Sequence, residues 1–163
     1  RFVDLAEIGS YEDGFFNLEV LGKADRVVYL AAYLYHYRRD GSSSVTSGYN
    51  PRLYDQWQTL YDRMEAIIRS NQLGSEYEAA LNNRIALGIL GLGLNITVST
   101  QSMGKKVKDI HRIIRQERYR KAYKNLPLNY FPIHWKLFYG CAKHGFAFGV
   151  YVLLTVIQRI ISR

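Results

Sequence analysis

Between Ser75 and Leu94 the chain places Leu81, Ile85, Leu87, Ile89, Leu90 and Leu94 around most of the circumference of a single helix. A helix that is apolar on nearly every side has no face to give to water, so other elements must surround it. This run therefore predicts a central, buried helix with the remaining helices packed about it. Ser75-x-x-Glu78 has the form of a capping box at its start. Gly88 and Gly91 weaken helix propensity inside it and are expected to let a neighbouring backbone approach.

A second helix precedes it. Asn50-Pro51 supplies an N-cap followed by proline, and Leu53, Trp57, Leu60, Met64, Ile67 and Ile68 recur at intervals of three and four. It is expected to end near Asn71-Gln72-Leu73-Gly74. With 163 residues the chain is long enough for one domain with a real core.

Charge is concentrated further on. Between Lys105 and Lys124 nine basic residues stand against Asp109 and Glu117, so nearly all of the formal net charge of +8 lies there. Val107, Ile110, Ile113 and Ile114 run through this stretch as a narrow apolar stripe, which predicts one basic amphipathic helix. Anionic lipid, nucleic acid and an acidic protein surface are the partners such a helix can serve, and a merely solvated face is the plain alternative. Lipid gains about 1 kcal/mol per lysine or arginine near its surface, which makes Lys105, Lys106, Lys108, Arg112, Arg115 and Arg118 candidate membrane contacts. Nucleic acid is disfavoured: the stretch has no zinc-finger spacing, no RNP-type aromatic motif and no helix-turn-helix signature.

The C-terminal residues point the same way. Phe131 to Tyr139 mixes aromatic and basic residues as interfacial segments do. Phe146 to Ile157 is almost continuously apolar, but it falls short of the roughly 20 residues that cross a bilayer as a helix. It is expected to lie on a membrane or against the helix spanning Tyr77 to Leu94.

Cys141 is the one cysteine, which excludes an intrachain disulfide framework and fits a reducing compartment. A buried small hydrophobe is its expected role. His36, His111, His134 and His144 are scattered without zinc-site spacing, so no metal ligand is assigned. There is no glycine-rich phosphate loop ending in Lys-Ser or Lys-Thr, no Gly-x-Ser-x-Gly elbow and no tandem repeat. Asn95-Ile96-Thr97 matches a glycosylation pattern by chance.

The N-terminal third carries the chemistry. In Tyr11-Glu12-Asp13-Gly14-Phe15-Phe16, Ser10 is a suitable N-cap, Glu12 and Asp13 fill a first helical turn, and Phe15, Phe16, Leu18 and Leu21 lie behind them. Acids at a positive helix end stabilise helices that do no chemistry, so the pair has a plain structural role open to it. Arg26 to Leu30 and Tyr33 to Arg38 suit two short strands bent at Ala31-Ala32. The loop from Arg38 to Ser44 then joins two guanidinium groups, on Arg38 and Arg39, to serine hydroxyls such as Ser42. These suit a diphosphate or lipid phosphate, or simply a solvated loop.

Arg1-Phe2, the Tyr11-Glu12-Asp13-Gly14-x-Phe16 block, Ala24 to Leu30, and Leu34-Tyr35-His36-Tyr37-Arg38-Arg39-x-Gly41-Ser42 together resemble the end of the catalytic domain of bacterial family 2 glycosyltransferases. The resemblance covers roughly residues 1 to 50. It implies a fragment of an α/β, GT-A type, inverting enzyme of surface-polysaccharide synthesis, whose donor-binding half lies upstream. Asp13 is then the general base, Glu12 its acceptor-site neighbour, and Tyr35, Arg38, Arg39 and Ser42 substrate contacts. The implied substrates are a nucleotide-sugar donor and a glycan or lipid-linked acceptor. The implied cofactor is a divalent metal, Mg or Mn, on the missing half. Asp40 stands where many relatives carry a histidine near the metal, so that role does not transfer.

The expected whole is mainly α: residues 1–49 as the acceptor-side end with its β ribbon, then residues 50–163 as a bundle of about four helices. The chain alone is expected to be inactive, cytoplasmic and peripheral on the inner face of the cell membrane. The competing expectation is a noncatalytic helical module that binds an anionic membrane or an acidic protein.

Overall fold

A computed structural model describes residues 4–35 and 48–161 of the chain. Among them are eight α-helices and one 3₁₀ turn, with no strand. They run α1 (Leu5–Ile8), α2 (Glu12–Leu21), α3 (Leu53–Ser70), α4 (Ser75–Thr97), α5 (Met103–Arg115), α6 (Glu117–Asn125), the 3₁₀ turn (Leu128–Tyr130), α7 (Ile133–His144) and α8 (Ala147–Ile161).

Helix α4 is the axis of the molecule. It packs against α3, α5, α6 and α8, while α1 and α2 lie on α3, and α7 sits between α6 and α8. Leu81, Ile85, Ala86, Ile89, Leu92 and Ile96 of α4 are buried, as its all-round apolar character demands. By length and composition α4 is the one described helix able to cross a membrane. Its neighbours instead make it the centre of a helical core.

The glycines of α4 receive side chains rather than a backbone. A methyl on Gly88 would meet the Tyr61 hydroxyl at 2.4 Å, one on Gly91 would meet Trp57 Cη2 at 2.5 Å, and one on Gly93 would meet Leu154 Cδ1 at 2.4 Å. Two rings of α3 and a leucine of α8 thus lie directly on the α4 backbone. That close approach offsets the propensity these glycines forfeit.

The expected capping box is not formed. Ser75 is already helical, and Gly74, in extended conformation, is the residue before the helix. Asn50 does receive the Arg52 N–H on its side-chain oxygen at 2.9 Å, which starts the turn leading into α3.

The basic stretch is two helices, not one. Gln116 is extended (φ −60°, ψ 143°) and separates α5 from α6. The reason lies in the phase of the apolar residues. Ile110, Ile113 and Ile114 are buried on α5, and Tyr119, Ala122 and Tyr123 on α6. In an unbroken helix Tyr119 would point about 140° away from Ile114. The break at Gln116 turns both sets into the core.

The β ribbon is absent from the described residues. Residues 26–35 run as irregular, exposed chain, with Tyr33 at 99 % of its full exposure. A two-stranded ribbon needs a sheet or helix to lie on, and this segment lies on neither. Its second half, from His36, falls outside the described residues, as do Arg38, Arg39 and Ser42.

Candidate functional site

The Glu12–Asp13 pair opens α2, and its position is set from α3 and α4. Gly9 has φ +74°, where a side chain would be strained, and a methyl there would also meet Gln56 Oε1 at 2.6 Å. Gln56 donates through Nε2 to the Ala6 carbonyl at 3.1 Å, and Asn50 Nδ2 donates to Gln56 Oε1 at 2.8 Å. Trp57 Nε1 donates to Ser10 Oγ at 3.1 Å. Ser10 is therefore used by α3, not as the N-cap of α2. Arg63 pairs with Glu7. The short stretch before Glu12 is thus tied at Ala6, Glu7 and Ser10 to one side of α3.

The residue that precedes α2 is Tyr11, held at φ 70°, ψ 29°. A non-glycine residue in this left-handed region is strained by roughly 1–2 kcal/mol, and the contacts of its ring hold it there. Tyr11 meets Trp57 edge-on at 5.4 Å, and the Arg84 guanidinium stacks 3.5 Å from its centroid. Arg84 also lies 5.7 Å from the Trp57 ring. Among the described residues its Nη2 is buried without a hydrogen-bond partner. The two aromatic faces are what meets this charge.

Behind the pair runs an apolar cleft of about 360 Å³, lined by Tyr11, Gly14 and Leu18, by Met64 and Ile68 of α3, and by Tyr77, Leu81 and Arg84 of α4. Glu12 is half-buried and Asp13 is exposed. Asp13 Oδ1 accepts the Gly14 N–H at 2.7 Å, a bond made at the surface. Tyr35 is also exposed and does not line the cleft. No three His, Cys, Asp or Glu side chains among the described residues are grouped to hold a metal.

The six basic candidates divide. Lys106 Nζ donates to the Thr97 carbonyl at 2.8 Å and so closes the α4–α5 turn. Arg118 turns inward, donating to Gln58 Oε1 at 3.0 Å and pairing with Asp62 and Glu65. Arg112 pairs with Asp109 at 3.2 Å on its own helix. Lys105, Lys108 and Arg115 are exposed. Within Phe131 to Tyr139, Phe138 and Tyr139 are buried with Trp135 and Phe131 packed on them, while Ile133 and Leu137 remain exposed. Cys141 is half-buried, a small packing residue beside Gly149.

Sequence reasoning missed Arg84, Trp57, Gln56 and Asn95 as positioning residues. Asn95 exchanges two hydrogen bonds with the Asn50 backbone, at 2.7 and 2.8 Å, and so anchors the entry to α3 on α4. For Arg84 a signal existed: it is the one charge between Glu78 and Lys105, set in an otherwise apolar helix. Compared with known proteins, the chain matches no family model, no curated protein and no solved structure.

Proposed function

We propose that this chain is the acceptor-side end of an inverting sugar transferase of the α/β, GT-A type, acting in the synthesis of a surface glycan. The observation that carries the reading is the clamped turn before Glu12. There a strained Tyr11, stacked under Arg84, stands two residues ahead of the exposed Asp13 carboxylate. Rigid support of this kind is what a general base requires, since its oxygen must stay within hydrogen-bond reach of the proton it takes.

In this reading an acceptor hydroxyl lies against the carboxylate of Asp13, beside the cleft. Asp13 accepts the hydroxyl proton as the oxygen attacks the anomeric carbon, and the sugar leaves its nucleoside diphosphate with inversion. Glu12, beside it, orients the acceptor. Tyr35 and, outside the described residues, Arg38, Arg39 and Ser42 contribute to substrate binding. The nucleotide sugar is held by a donor-binding half outside these residues. A divalent ion at the diphosphate would be held by that half.

The test is Asp13→Asn in the enzyme joined to its donor-binding half. Transfer should fall by about 10²- to 10⁴-fold, the usual contribution of a general base, with nucleotide-sugar binding retained. Turnover close to wild type would remove the base assignment. The exposed side chain makes only a local contact, so the fold should survive the change.

A further inference from the structure

Helix α8 is apolar on the side that faces away from the core. Phe148, Val152, Val156 and Ile160 recur every four residues and are 50, 42, 49 and 68 % exposed, whereas Ala147, Val150 and Leu154 on the opposite side are buried. Helical geometry spreads the four over an arc of about 120° and a length of about 18 Å. Phe146, in the turn that leads into α8, is exposed as well and extends one end.

A cationic hollow of about 610 Å³ lies at that same end, lined by Arg115, Arg120, Lys124 and Lys143 with Glu117. Gly145 joins the two features. A methyl there would come within 2.7 Å of the Arg115 guanidinium carbon, so this arginine rests on the α7–α8 turn that carries Phe146. None of the 46 residues after Glu117 is acidic, and eight of them are lysine or arginine, so little in this part of the chain would repel an anionic surface.

We propose that the outer face of α8 and the adjoining hollow form a membrane-docking surface, with α8 lying in the plane of an anionic bilayer and the hollow holding lipid phosphate. The 15 described residues of α8 are fewer than the roughly 20 that span the hydrocarbon as a helix, and they suit burial at the headgroup boundary. The stripe offers no hydrogen-bonding group before Arg159, whose long stem can lift its charge to the headgroups. That fits hydrocarbon, which has no hydrogen-bond partner to give. Of the six basic residues first considered as membrane contacts, this surface uses Arg115, while Lys106 and Arg118 are bonded within the protein. It stands independently of the transferase reading.

Co-sedimentation of the full chain with vesicles tests it. Wild type should bind phosphatidylcholine vesicles containing about one-third phosphatidylglycerol, and bind pure phosphatidylcholine far less. Phe148→Ser with Val152→Ser, both on the exposed side, should weaken binding at least about tenfold at every salt concentration. Arg120→Glu with Lys124→Glu should weaken it on anionic vesicles at low salt and matter little at high salt. Circular dichroism confirms that each variant keeps its helices. Failure of wild type to sediment, or sedimentation of both variants at the wild-type level on anionic vesicles at low salt, overturns the proposal. So does a wild-type dimer that the serine variant dissolves, because the stripe would then be a contact between two copies of the chain.

Discussion

The Arg84 guanidinium lies 3.5 Å from the centre of the Tyr11 ring, so a cation from the middle of α4 fixes the residue just before Glu12. Stacking of this kind stabilises a desolvated guanidinium by about 1–2 kcal/mol. Arg84→Met, which keeps the stem and removes the charge, should lower the melting temperature by about 2–6 °C. Tyr11→Ala and Tyr11→Gly separate the ring from the backbone. Both lose the stack, but glycine adopts φ 70° without strain, so the glycine variant should be the more stable by about 1 kcal/mol. Equal stabilities in chemical denaturation would show that the backbone there is not strained.

The glycines of α4 and α7 should respond in opposite directions to the same substitution. Gly91→Ala drives a methyl to 2.5 Å from the stiff Trp57 ring, and overpacking should outweigh the helix propensity gained, for a net loss of about 1–2 kcal/mol. Gly140→Ala on α7 meets nothing within 4 Å and should stabilise by about 0.5–1 kcal/mol. Denaturant midpoints of the two variants provide the comparison.

Two arginines of similar sequence context should differ in the same assay. Arg118 is largely covered and binds Gln58, Asp62 and Glu65 of α3, so Arg118→Ala should cost about 1–2 kcal/mol and expose the α3–α6 seam. Arg112, exposed and paired only with Asp109, should change stability by less than about 0.5 kcal/mol when replaced by alanine.

The buried tyrosines predict an alkaline limit. Burial pushes the Tyr61 and Tyr139 phenols up to about 12, and Tyr119 and Tyr123 are raised by burial as well. An unfolded tyrosine titrates near about 10. Above that pH the unfolded chain gives up protons that the folded chain keeps, so the stabilising contribution is complete below about pH 10 and is lost as pH rises toward about 12. Melting temperature should hold to about pH 9 and fall steeply by about pH 11. Ultraviolet absorbance of phenolate should show these four rings ionising only as the protein unfolds.

The sequence by itself determined α3 and α4 and the central place of α4. The spacing of Leu53, Trp57, Leu60 and Met64 gave α3, and the all-round apolar character of Leu81 to Leu94 made α4 central, because periodicity over consecutive residues reports which faces must leave water. It also placed Glu12 and Asp13 in a first helical turn. Tertiary structure decided how those parts are used. Ser10 serves Trp57, 47 residues away, and does not cap α2. The basic stretch breaks at Gln116 because its two apolar sets must reach one core. Lys106 and Arg118 turn to partners in the protein while Arg115 stays at the surface. The partners of Ser10 and Arg118 lie far off in the chain, and local spacing carries no record of where such partners will stand.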